Sequence, residues 1–545
     1  MQLHELCQHT KGSDLVDITI RNGAIFDGCG SDANVSDLVI HDGRIVSLST
    51  PGPEAKVVID ARGKTVCPGF IDMHAHSGLR VFLAPELAPK IRQGITTEVI
   101  GVDGISPAPV SAAGLKNRQR YIAAIDGIIP EPLWRWCDFD QYLAALRAAG
   151  PSTNLLPLIP HGCVRDVVLG QADRRARPDE LVYMARLVRQ AFEAGAGGLS
   201  FGLNYYPGAY AGPEEIDALV ALAAKYERVV MVHIRNEADG LLASVAEMVE
   251  LSQKHGARVH ISHLKIVGAA NRGLLSPLLD LLAESEGRGA AISFDQYPYY
   301  AGSTQLAYLL PPWMHEGGAG VTIKRLRSTA VRQRIREHIE AGLPGWENLY
   351  QACGPAGIFV SSLEGRKNQP CLGRSLHCIA AERGHDALEV AFDLLIDEEL
   401  RVGMIDYYGD EATLTAIMAS GLYTVGSDGI FGDGHAHPRL YGAFPRVLSK
   451  YVRQERILSM AEAIRAMTSR PAGVLGLTDR GRLAAGCRAD VVVFDPERIQ
   501  DRGTFEEPTV FPDGVEWVIV NGRVAVRPGA AQPARAGQVL AFGRS

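Results

Sequence analysis

Gly69-Phe70-Ile71-Asp72-Met73-His74-Ala75-His76 reads as a short apolar strand that ends in two histidines with one residue between them. Side chains alternate along a strand, so His74 and His76 project from the same face and can reach one ion from a single strand end. Histidine is the commonest metal ligand, yet two neighbouring histidines on a surface turn usually mean nothing. Their weight comes from four further histidine or aspartate positions that close apolar segments. Asp103 follows Thr96-Thr-Glu-Val-Ile-Gly-Val, His233 ends Val229-Val-Met-Val, and His263 ends Val259-His-Ile-Ser. Asp428 then closes Val425-Gly-Ser-Asp428.

Between these segments lie stretches with helical periodicity. Residues 179 to 195 put Leu181, Met184, Leu187, Val188 and Ala191 on one face, and further helices are expected near 214 to 226 and 240 to 255. Apolar strands alternating with helices imply a parallel sheet buried on both sides. The expected fold class is α/β, a (β/α)8 TIM-like barrel, which usually needs about 250 residues. An open doubly wound sheet is the alternative, although no GxGxxG joins a strand to a helix. Counting Val402 to Tyr408, there is one strand candidate more than eight places require. The region from about 300 to 400 lacks a clear repeat and is expected to be an insertion.

The two ends of the chain look alike. Val16 to Ile20, Asp37 to Ile40, Arg44 to Leu48 and Lys56 to Asp60 alternate around Asn22-Gly23, Asp42-Gly43 and Arg62-Gly63, the pattern of a small antiparallel sheet. Ala489 to Phe494, Val515 to Val520 and Arg523 to Val526 repeat it around Asn521-Gly522. The expected domains are a β-sandwich built from residues 1–66 and 480–545, bracketing a barrel over 67–479.

Bulk properties exclude several classes. The chain of 545 residues is 46% apolar and 21% charged, as in an ordinary soluble protein. No apolar run nears the roughly 18 residues that a membrane span needs. A polar start, Met1 to Thr10, gives no reason to expect a signal peptide. The formal charge of −7 argues against nucleic acid, whose phosphates require a basic face. The nine cysteines are scattered without a CxxC pair, so they suit reduced thiols and a cytoplasmic location. Any metal site is therefore built from His and carboxylates, a donor set suited to Zn2+ or a similar ion.

With these residues in place, the chain resembles the amidohydrolase superfamily, and within it the N-acyl-D-amino-acid deacylases, or D-aminoacylases. The resemblance rests on Pro68-Gly-Phe-Ile-Asp-Met-His-Ala-His76, Gly94-Ile-Thr-Thr-Glu-Val-Ile-Gly101, Gly198-Leu-Ser-Phe-Gly-Leu203 and Tyr206-Pro-Gly208. It continues through His233-Ile-Arg-Asn-Glu237, Ile261-Ser-His-Leu-Lys265, Asp295-Gln-Tyr-Pro-Tyr299 with Ser303, Gly426-Ser-Asp-Gly429 and His437-Pro-Arg-Leu-Tyr-Gly442. The HxH pair points to the superfamily; the ISHLK and HPRLYG segments point more narrowly.

The resemblance implies that His74, His76 and Asp428 ligate one metal position and His233 and His263 another, with one or two zinc ions bound. It also implies that Asp428 is the general base, and that Lys265, Tyr297, Ser303 and Arg439 grip the α-carboxylate of an N-acyl amino acid. A cysteine usually stands where this chain has Asp103, and a carboxylate there shifts preference toward harder metals. Asp103 is read as a ligand, with a plain turn before Gly104 as the bland alternative. For Lys265 and Arg439 the bland alternative is an ordinary surface or salt-bridge role. His161 is expected to line the mouth, His435 and His437 to sit in a loop, and His260 to be structural.

A metal-activated water attacking an amide carbonyl is the chemistry these residues suit. Rival readings are a dipeptidase and a cyclic amidase of the same superfamily. Many cyclic amidases bridge their metals with a carbamylated lysine on the fourth strand, and Gly198 to Leu203 has no lysine. A non-catalytic scaffold would be expected to have lost ligands.

Overall fold

The computed structural model describes residues 15–432 and 434–542. The expectation that fell on Met1 to Thr10 lies outside them.

Short, almost wholly buried strands form two parallel sheets. One has six strands in the order Tyr423–Val425, Ile292–Gln296, Val259–Ile261, Val229–His233, Gly198–Gly202 and Ile159–Pro160. The other has three, Phe70–Ala75, Ile95–Ile100 and Asn154–Pro157. The sheets touch at both ends. Only Leu158 separates Asn154–Pro157 from Ile159–Pro160, and Ala75 makes a parallel bridge to Gly429, just past Tyr423–Val425.

Amphipathic helices cover the strands. Pro178–Ala194 starts with Pro at its first position and acidic residues in its first turn, both favourable at a helix N-terminus. It buries Met184, Val188, Ala191 and Phe192 along one face and stops at Gly195 in the left-handed region. Pro213–Lys225, Leu241–His255 and Leu275–Gly287 follow successive strands and likewise bury one apolar face; the first shares the Pro and acidic start and the second the left-handed Gly stop, at Gly256.

The two chain ends share one eight-stranded sheet. Its junction is the antiparallel pairing of Thr65–Pro68 with Val491–Phe494, in register Val66 to Val493. The N-terminal part is not wholly antiparallel as expected: Val16–Ile25 pairs parallel with both Ala55–Asp60 and Thr65–Pro68. The chain returns to that strand from the same end, which alternation of residue types does not reveal. Gly69 connects this sheet to Phe70–Ala75, and a Cβ there would run into the Thr96 side chain.

Between Gln296 and Tyr423 the chain builds a three-stranded antiparallel sheet, ordered Gly302–Gln305, Gly403–Asp406, Ile358–Ser362, with helices including Thr329–Ala341 and Ala387–Asp397. This resolves the surplus strand. Val402 to Tyr408 is apolar, but its strand pairs with Gly302–Gln305 and Ile358–Ser362 and not with the parallel strands.

Candidate active site

The strand ends bring the expected ligand residues into one buried cluster. His74 Nε2 lies 3.0 Å from Asp103 Oδ2 and 3.7 Å from Asp428 Oδ1. His76 Nε2 lies 3.2 Å from Asp428 Oδ1 and 3.7 Å from Asp103 Oδ2. The alternation argument therefore holds: both imidazoles meet the same two carboxylates. On the other side His263 Nε2 is 3.5 Å from Asp103 Oδ1 and 2.9 Å from His233 Nδ1. The two oxygens of Asp103 thus face the two groups of histidines.

Three of these residues sit at positive φ, uncommon for a side-chain-bearing residue: Asp103 at 55°, His263 at 36° and Asp428 at 48°. Turn and ligand are not alternatives at Asp103, because the left-handed turn before Gly104 is what aims its carboxylate inward.

Electrostatics mark the cluster as a place for positive charge. Burial alone would push His74 down, but Asp103 and Asp428 beside it hold it well above the ordinary histidine range. Burial and Lys265 likewise oppose, and Glu237 and Asp103 overcome, in lifting His263 to about 9. Burial keeps His233 neutral, down at about 3. Asp103 Oδ1 and His233 Nε2 are buried without a hydrogen-bond partner among the described residues. The ligand atoms fall into sets within 4.8 Å of one another: His74, His76 and Asp428; His74, Asp103 and His263; His233, Glu237 and His263. Nitrogen and carboxylate donors converging with orphaned atoms fit a zinc-like divalent ion.

The expected substrate residues line one cavity with His233, His263 and Asp428. Lys265 and Arg439 are not surface residues. Lys265 Nζ is 2.7 Å from Glu237 Oε1, with its side chain only 11% exposed. Arg439 is fully buried, with Nη1 2.9 Å from Asp428 Oδ2 and Nη2 donating to the Ser303 carbonyl at 3.0 Å. Its Nε and Nη1 lack an aligned hydrogen-bond acceptor among the described residues, so donors remain for a ligand. The guanidinium lies 4.5 Å over the Tyr297 ring, and Tyr408 donates to the Tyr297 hydroxyl at 3.0 Å. Burial opposes ionisation of Asp428, but Arg439 and His74 hold its carboxyl well below the usual range.

Around this cluster stand residues that sequence reasoning left without a role. Asp72 accepts from the Ser427 amide at 2.7 Å and the Ser427 hydroxyl at 2.6 Å, and fully buried Lys90 holds it at 3.0 Å. Asp72 thereby positions the residue before Asp428. Its place two residues before His74 puts it on the same strand face, a signal that was available. Asp126 orients His76 at 3.3 Å, and Asp295 lies near His74 Nδ1, at 3.8 Å, while accepting from the His263 amide at 3.1 Å. Glu237 holds His263 Nδ1 at 3.2 Å. Fixing a ligand's second nitrogen in this way sets its tautomer and aim. No such signal exists for Glu347 and Asp406, which enter the cavity from the region after Gln296.

Four other histidines are placed clearly. His260 bonds Asp295 and Ser293, a structural role as expected. His161 does not line the cavity; it is buried against Glu215 at 2.7 Å, because the residue opens the helix His161–Leu169 and points into the packing. His437 Nε2 is 2.9 Å from the Ala301 carbonyl, and its Nδ1 accepts from the Arg439 amide at 3.0 Å. His435 reaches the Phe505 carbonyl.

Comparison with known proteins shows the family. The model of the Amidohydrolase family matches residues 57–526. The chain belongs to the amidohydrolase family. This amidohydrolase is 34% identical over 526 residues to an N-acyl-D-glutamate deacylase of Alcaligenes xylosoxydans xylosoxydans, covering 96% of each chain. It matches the crystal structure of N-acyl-D-glutamate deacylase from Bordetella bronchiseptica, complexed with zinc and a phosphonate mimic of the tetrahedral intermediate. There the TM-score is 0.82 at 33% identity, over 97% of this chain and 100% of that one. A D-aminoacylase structure, described by a binuclear metal centre with one-metal activation and second-metal attenuation, gives 0.81 at 30% identity, over 96% and 100%.

Proposed function

We propose that this amidohydrolase uses zinc to cleave the amide bond of N-acyl amino acids, in the D series. The observation that carries it is the joint one: a histidine–carboxylate cluster made of overlapping triads, the ligand atoms of each within 4.8 Å of one another, opens onto a cavity that also holds Lys265 and Arg439. The zinc- and phosphonate-bound neighbour supports it.

His74, His76 and Asp428 would hold one ion and His233, His263 and Asp103 the other, Asp103 standing between them. When bound, a divalent ion supplies Lewis acidity and lowers the pKa of a water toward about 7. Asp428 takes the attacking water's proton on Oδ1, the oxygen that faces His76, while Oδ2 stays on Arg439. The same carboxyl then returns the proton to the departing amide nitrogen. Lys265 and Arg439, backed by Tyr297 and Ser303, take the α-carboxylate, lysine as a point charge and arginine as a planar fork. The cyclic-amidase alternative lacks support, since Gly198–Gly202 carries no lysine.

For the architecture, we infer that the two parallel sheets are one closed (β/α)8 barrel of residues 67–479, with the antiparallel unit after Gln296 inserted. The contacts at both sheet edges support closure. Residues 1–66 and 480–545 would make the small β-sandwich, a reading favoured by their shared sheet. The cysteines among the described residues are all free, which supports a cytoplasmic home, and no described helix is long and apolar enough to cross a membrane. Nothing basic recommends nucleic acid as a partner.

The test is a screen of N-acetyl and N-formyl amino acids, both enantiomers, with zinc present. Release of free amino acid from the D substrates is expected. A metal-loaded enzyme that cleaves none of them would end the proposal.

A further inference from the structure

The cavity beside the metal cluster holds more acid than catalysis needs. Its two cations each face one carboxylate, Lys265 with Glu237 at 2.7 Å and Arg439 with Asp428 at 2.9 Å, and their remaining donors are those assigned above to the substrate carboxylate. Two further carboxylates line the same space, Glu347 and Asp406, 3% and 5% exposed. Asp406 makes no side-chain hydrogen bond or ion pair with any described residue. Its oxygens pack over Gly302, where an added Cβ would lie 2.9 Å from Oδ1. Glu347 accepts only the Glu237 amide, at 2.7 Å, and has no cation within ion-pair distance among the described residues. Buried carboxylates are ordinarily paired or protonated, and these two face an opening. Burial pushes Glu347 up to about 8 and Asp406 to about 7; Glu237 adds to both, while Lys265 draws both back and Arg439 draws Asp406 back, without restoring either to the ordinary carboxylate range.

An N-acyl amino acid has three parts to place. Its carboxylate goes to Lys265 and Arg439, and its acyl group is neutral. The side chain is the only remaining part that can carry positive charge. A cationic side chain would draw Glu347 and Asp406 into their charged forms and pair with them, whereas an acidic one would be set against the charges of Glu237 and Asp428 and hold both carboxyls protonated. We propose that the side-chain subsite, built by Asp406 and Glu347, selects a cationic side chain, a guanidinium or an ammonium. This rests on the hydrolase reading above. It separates the chain from the relative named for D-glutamate.

The test compares kcat/KM of the zinc-loaded enzyme on N-acetyl-arginine, -lysine, -citrulline, -methionine and -glutamate, in both enantiomers. Arginine is expected to exceed citrulline, its neutral isostere, by tenfold or more, and glutamate to be the poorest. In Asp406→Asn the arginine-to-citrulline ratio should fall by about the same factor. Citrulline or methionine equal to arginine, or glutamate the best substrate, overturns the subsite while leaving the hydrolase intact. An unmoved ratio in a folded Asp406→Asn enzyme removes Asp406 from it. Cleavage of no substrate overturns the hydrolase reading and this inference together.

Discussion

The two walls of the cavity are built on opposite principles. On the side of the parallel strands the histidines are each braced by a carboxylate from another part of the chain or the next loop: His74 by Asp103, His76 by Asp126 at the end of the helix Leu115–Asp126, His263 by Glu237. On the side of the antiparallel sheet, among the described residues, Asp406 has no hydrogen-bond or ion-pair partner and Glu347 has one backbone amide. The first wall is over-determined and so can hold reacting atoms in place. The second can change residues without disturbing the strands, which is where selectivity can vary while chemistry stays.

The comparison breaks most visibly at Asp428. Asp428→Asn keeps the shape but removes the proton carrier, and kcat should fall by roughly a thousandfold or more, near the upper end for general acid–base groups. Circular dichroism should be unchanged. A near-normal kcat would remove the base assignment. Lys90→Met tests how firmly the first wall is built. It leaves Asp72 buried without its cation, and breaking a buried pair in this way costs about 3–5 kcal/mol, readable in urea unfolding. Lys367→Met, which breaks the pair with Asp397 at a side chain 77% exposed, should move stability by less than about 1 kcal/mol. Equal costs would erase the contrast.

Arg439 joins the walls. A pure carboxylate clamp would affect KM alone, but Arg439 also touches Asp428 and the Ser303 carbonyl. Arg439→Lys should therefore lower kcat and raise KM together, each by about tenfold, since lysine loses the planar fork but keeps the charge. A change in KM only would mean that the contact with Asp428 is idle in turnover.

The same division governed what could be read from the sequence. Period-2 alternation and strand ends placed His74, His76, His233 and His263, because a residue's face follows from its position on a strand. Val402 to Tyr408 misled because an apolar run does not say which sheet it joins. Glu237 stood inside a quoted motif but acquired meaning only from Lys265 and His263, which the fold brings beside it. Glu347 and Asp406 lie in the stretch without periodicity, where no local rule fixes a side chain's direction.

The smallest effect is expected at Asp103, the point where this chain departs from the cysteine that its resemblance implied. Its two oxygens divide between the histidine groups, Oδ2 toward His74 and His76 and Oδ1 toward His263. A thiolate offers one softer atom, and cysteine tolerates a φ of 55° less readily than aspartate. Asp103→Cys should therefore fold with slightly lower stability and change kcat/KM with zinc by only a few fold. Its metal preference should move further. Equilibrated with equal zinc and manganese and then measured for metal content, the variant should hold a higher zinc-to-manganese ratio than the parent. If the ratio is the same, the carboxylate touches no ion, and Asp103 serves the turn alone.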